Sequence, residues 1–126
     1  MADAEDRTRL WLRLEGLALA ALAVVLFAGT GASWWLFATL LLAPDLAMAG
    51  YLAGPRLGAL AYNAAHTWIG PALLGGLGIA LGAGLAVQIA LIWAVHIGAD
   101  RALGYGLKRP EGFGHTHLGP VGRRAA

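Results

Sequence analysis

Residues 17–53 read LALAALAVVLFAGTGASWWLFATLLLAPDLAMAGYLA and carry a single charge, Asp45. A helix rises ~1.5 Å per residue and the hydrocarbon core of a bilayer is ~30 Å thick, so one crossing takes about 20 apolar residues. The stretch holds most of one crossing and the whole of a second, parted by the small polar break Gly29-Thr30-Gly31-Ala32-Ser33. The rest of the chain repeats the pattern. Of 16 formal charges in 126 residues, seven lie in residues 1–15 and seven in residues 100–126, so Asp45 and Arg56 alone serve the 84 residues between. Hydrophobic residues are 59% and charged residues 13%, about half the charge that a soluble domain uses. A water-exposed globule could not cover its surface with so little, and a disordered chain would not be so apolar. Cysteine is absent, which removes disulfide scaffolds, thiolate metal sites and redox dithiols.

The apolar runs predict an all-α membrane protein with four transmembrane helices, at about 10–29, 34–53, 57–80 and 83–106. Gly54-Pro55-Arg56 and Gly82-Ala83-Gly84 form the later breaks. Residues 1–9 read as a cytoplasmic N-terminal segment, 10–106 as the transmembrane domain and 107–126 as a polar, Gly-rich cytoplasmic tail extended over the surface. The start is acidic as well as basic and its apolar run is long, so it reads as a retained helix and not a cleaved signal. Basic residues fall at Arg7, Arg9 and Arg13, at Arg56, and at Lys108, Arg109, Arg123 and Arg124, while the loops 29–33 and 81–84 have no charge. With four spans in an up-down bundle, every basic group is then on one side. The positive-inside rule makes that side cytoplasmic, with both termini inside. Trp34 and Trp35 fall at the opposite interface. The net charge of +2 marks orientation and not nucleic-acid binding, because no basic stripe with interleaved aromatics exists. Glycines such as Gly75, Gly76, Gly78, Gly82 and Gly84 suit close helix packing in lipid.

An ionisable group inside a span costs about 2.5–3.5 kcal/mol at the centre and needs a reason. Counting from the cytoplasmic ends at ~1.5 Å per residue, Asp45 lies ~12 Å deep, Asn63 and His66 roughly 9–14 Å, His96 and Asp100 roughly 9–15 Å, and Glu15 roughly 8 Å. Residues from four helices thus share one layer. His96 and Asp100 are spaced i, i+4, and Asn63 and His66 i, i+3, so each pair shares a helix face. Pro44 and Pro71 flank the layer, and a proline frees a carbonyl one turn upstream.

Imidazoles with carboxylates suit Zn, Mn or Fe. On that reading Asp45, His66, His96 and Asp100 are metal ligands, Glu15 is a ligand or general base, and Asn63 and Lys108 are further catalytic candidates. His117 is a weaker ligand candidate from the tail. Tyr105, Lys108 and His117 would sit at the mouth. A proton or ion relay is a second reading. A buried polar network that sets helix register, with Asp100 paired to Arg101 or Lys108, is a third. The spacing does not choose among them.

At these residues the chain resembles the small bacterial integral membrane proteins of the domain of unknown function 4260 family. The carriers are Arg13-Leu14-Glu15-Gly16, Ala43-Pro44-Asp45 leading to Gly50-Tyr51, and Tyr62-Asn63 with His66. They continue through His96-Ile97-Gly98, Asp100-Arg101 and Gly104 to Lys108, then Gly112-Phe113 and Thr116-His117-Leu118-Gly119. The resemblance implies a multi-pass protein of the bacterial cytoplasmic (inner) membrane and supplies no catalytic assignment. The functional expectation is a metal-dependent hydrolase or metal-binding protein opening to the cytoplasm. The alternatives are a small transporter or proton-relay component, possible as a homo-oligomer because four short spans enclose little, and a non-catalytic assembly subunit. The bilayer is the one partner the sequence names.

Overall fold

The computed structural model describes residues 2–109, 112–116 and 119–120. Helix α1 spans Ala2–Gly29 and α2 Trp34–Leu40. A 3-10 helix follows at Ala43–Ala53, then α3 at Pro55–His66, α4 at Ile69–Leu81 and α5 at Gly84–Ala102. The tail forms a small antiparallel sheet, β1 Lys108–Arg109, β2 Gly112–Thr116 and β3 Gly119–Pro120, in the order β1-β2-β3. Four helical stretches are long and apolar enough to cross a membrane: Asp3–Gly29, Trp34–Ala53, Pro55–Leu81 and Gly84–Ala102. Their outer surfaces carry large apolar side chains, with Trp35 83% and Leu52 93% exposed, as lipid contact requires. These features mark a multi-pass membrane protein.

Two expected single helices are broken, and proline chemistry accounts for both. Pro44 has no N–H, and the chain tightens there into 3-10 geometry, with the Asp45 N–H bonded to the Leu42 carbonyl at 3.0 Å. An eleven-residue 3-10 run is long for this form, which rarely exceeds three or four residues. In the third stretch the break falls at Thr67-Trp68, because Pro71 cannot donate to the Thr67 carbonyl; the regular pattern resumes with the Ala72 N–H on the Trp68 carbonyl at 3.0 Å. α5 ends at Ala102, four residues short of the expected 106, where Gly104 turns the chain at φ 91°. The tail, expected to be extended, is strand in part and lies against α3.

The core is built on α5, which packs along α1 on one side and α4 on the other, while α3 packs against the 3-10 helix. The α1–α5 crossing is close because it is glycine on glycine. A Cβ on Gly98 would stand 2.5 Å from the Gly16 carbonyl oxygen and 2.8 Å from the Ala20 Cβ. Small residues allow such approach in lipid, where apolar contact alone does not drive association. Phe27, Trp34 and Phe37 close the opposite end, with ring centroids 5.1–5.3 Å apart. Among the largest fully buried side chains, Phe27, Ile92 and Ile97 are apolar and the fourth is His66. His96 and Arg101 are buried as well.

Candidate functional site

Two elements beside helix breaks, together with α5, bring four chemically active side chains to one point. Asp45 comes from the first turn of the 3-10 helix, His66 from the last residue of α3, and His96 and Asp100 from successive turns of α5. One ligand atom from each lies within 4.8 Å of all the others. The two Nε2 atoms are 3.1 Å apart. Asp45 Oδ1 is 3.1 Å from His66 Nε2 and 3.0 Å from His96 Nε2. Asp100 Oδ2 is 3.5 Å and 3.2 Å from the same two atoms. Both imidazoles are buried, Asp100 is largely covered, and about a third of the Asp45 side chain is exposed.

The main chain decides which nitrogen faces the centre. His66 Nδ1 lies 2.8 Å from the Tyr62 carbonyl, and His96 Nδ1 lies 2.7 Å from the Leu41 carbonyl. A carbonyl only accepts, so in each ring Nδ1–H donates and the neutral imidazole keeps a lone pair on Nε2. The Leu41 carbonyl is available because of the switch at Pro44: the Asp45 N–H bonds back three residues to Leu42 and not four to Leu41. The Tyr62 ring stacks on His66 at 3.8 Å with 6° between planes, which fixes the imidazole from its face. Two lone pairs and two carboxylates therefore converge on a shared space. They repel one another unless a cation or a shared proton lies among them. A buried His/Asp cluster of this kind could hold a metal ion.

The remaining sequence candidates are placed differently. Glu15 is on an exposed face of α1 and supplies no atom to the convergent set. Asn63 is half-buried on α3, also outside the set. Tyr105 contributes its main chain, its carbonyl accepting from Arg101 at 3.2 Å, while its side chain is partly exposed. Lys108 opens β1. His117 lies outside the described residues.

Arg101 is the residue that sequence reasoning undervalued. The structural-network reading offers it as one of two partners for Asp100, but neighbours on a helix point in different directions, and no Asp100–Arg101 ion pair forms among the described residues. The guanidinium instead donates to the His66 carbonyl at 3.0 Å and to the Tyr105 carbonyl at 3.2 Å. The carbonyl of His66 is free to accept because α3 stops there. Trp93 likewise donates to the Ala65 carbonyl at 2.6 Å. The available signal was Pro71, which suits the first turn of a new helix and so favours ending α3 before it, leaving end carbonyls for α5 to satisfy.

A family described as Domain of unknown function (DUF4260) matches residues 9–121 of this chain. No curated protein and no solved structure matches it.

Proposed function

The chain belongs to the DUF4260 family, and we propose that it is a membrane metalloprotein whose divalent ion is held by Asp45, His66, His96 and Asp100. The carrying observation is the shape of the convergent set. A tetrahedral ion with bonds of ~2.0–2.1 Å has its ligand atoms about 3.3 Å apart. The five separations among the Nε2, Oδ1 and Oδ2 atoms that involve an imidazole run from 3.0 to 3.5 Å. The Nδ1–H bonds to main-chain carbonyls are the outer-shell contacts that hold metal-binding imidazoles in orientation. Two nitrogens and two carboxylate oxygens fit zinc, manganese or iron(II) better than the softer ions that favour sulfur. When bound, such an ion supplies Lewis acidity. Asp45, the most exposed of the four and mounted on 3-10 geometry, is the ligand best placed to yield a position to a substrate, and this supports a hydrolase as the activity. The charge pattern supports both termini and the site on the cytoplasmic side, with residues 10–106 as the membrane domain between polar ends, and the family resemblance implies a bacterial inner membrane.

Metal analysis of the detergent-purified chain tests this reading. Wild type should carry close to one equivalent of a transition metal after supply and desalting, and His96→Ala should carry almost none. Wild type without stoichiometric metal under zinc, manganese and iron supply would overturn it. A proton relay is the second reading, favoured by the His66–His96 distance of 3.1 Å, at which one proton can be shared. Asp45→Asn should then abolish proton flux in liposomes while metal content stays at zero.

A further inference from the structure

A groove of about 450 Å³ runs between α1 and α4 over a floor of α5, with Leu22, Gly75, Ile79, Ala90 and Ala94 among its walls. A smaller cavity of about 80 Å³ is lined by Glu15, Gly16 and Arg101. Leu19 and Trp68 line both, so an apolar channel meets a polar mouth. The mouth holds two charges of opposite sign. Arg101 is nine-tenths buried, has two of its five N–H donors on carbonyls, and makes no ion pair among the described residues. Glu15 makes no ion pair among the described residues either.

We propose that this is a specific binding site for a zwitterionic phospholipid of the ethanolamine type. The acyl chain lies in the α1–α4 groove, the phosphate meets Arg101 and the ammonium meets Glu15. Charge complementarity selects this occupant. Guanidinium is the preferred partner of phosphate, and the carboxylate beside it disfavours a purely anionic headgroup. A quaternary choline headgroup has no N–H to give Glu15. Length agrees too. Val87 in the groove and Arg101 at the mouth are fourteen residues apart on α5, about 21 Å, which exceeds the ~15 Å of one leaflet's hydrocarbon. The site does not depend on the metal reading, although the His66 carbonyl that holds Arg101 belongs to a residue of the His/Asp cluster.

Native mass spectrometry of the full chain in detergent, with ethanolamine, choline and glycerol phospholipids added at equal concentration, tests it. Wild type should retain one ethanolamine lipid about threefold to fivefold over the other two, the preference that one partly screened ion pair gives. Glu15→Gln should remove that preference and leave lipid retention itself. Ala72→Phe, which adds bulk from an exposed position in the groove wall, should remove all three lipids while circular dichroism stays that of wild type. Equal retention of the three headgroups by wild type, or retention undisturbed by Ala72→Phe, would overturn the proposal; the first of these outcomes means that Glu15 and Arg101 serve each other.

Discussion

The imidazoles of His66 and His96 face each other through Nε2 atoms 3.1 Å apart, each ring held from behind by a main-chain carbonyl. Two such lone pairs beside two carboxylates repel one another unless a cation or a shared proton lies among them. A ligand that binds the folded state alone stabilises it by ~2.7 kcal/mol at a hundredfold excess over its Kd. Zinc or manganese at that excess should therefore raise the thermal midpoint of the detergent-solubilised protein. Chelator should reverse the shift. Protons compete with metal for imidazole and carboxylate, so the metal-dependent part of the stabilisation should shrink as pH falls. A midpoint indifferent to metal at every pH would count against the site.

Pro44 acts on His96 through the backbone. With Ala at 44 the 3-10 turn loses its cause, and the Asp45 N–H can bond to the Leu41 carbonyl that His96 now uses. Outer-shell contacts of this kind are worth ~10–100-fold in metal affinity. Pro44→Ala should weaken metal binding by that amount in a competition titration, with helical ellipticity unchanged or slightly greater. Unchanged affinity would mean that the carbonyl does not orient the ring.

Two glycines give opposite expectations. Gly98 sits against the Gly16 carbonyl at 2.5 Å from where its Cβ would be, whereas Gly76 has nothing within 4 Å of its own. Overpacking typically costs ~1–3 kcal/mol, and Gly98→Leu meets backbone, so it should reach at least the upper end in a denaturant titration of the purified protein. Gly76→Ala, in an exposed helix interior, should be neutral or stabilise by ~0.5–1 kcal/mol.

The native chain has no cysteine, so single cysteines report topology directly. In oriented vesicles, Ala32→Cys and Ala83→Cys should react with a membrane-impermeant maleimide from the face opposite to Arg56→Cys. Labelling of all three from one face would refute the four-span threading.

The number of apolar stretches long enough to cross a membrane, and the expectation that the polar groups share a depth, could be read along the chain. Each is a one-dimensional quantity: apolar length against bilayer thickness, and rise per residue from the nearest charged end. That arithmetic placed Asp45, Asn63, His66, His96, Asp100 and Glu15 in one layer. It could not say which way each side chain turns about its helix axis.

Azimuth was settled by tertiary contacts. The Gly16–Gly98 crossing sets the rotation of α1 against α5, leaving Glu15 to line the cavity with Arg101 while His96 and Asp100 face the other elements. The breaks at Pro44 and Pro71 released the carbonyls of Leu41 and His66, and α5 took both, through His96 and Arg101. Composition placed this chain in lipid because uncharged length is a property of the sequence itself. Only packing selected four polar groups from six, because an angle about an axis is defined by neighbours that are remote in sequence.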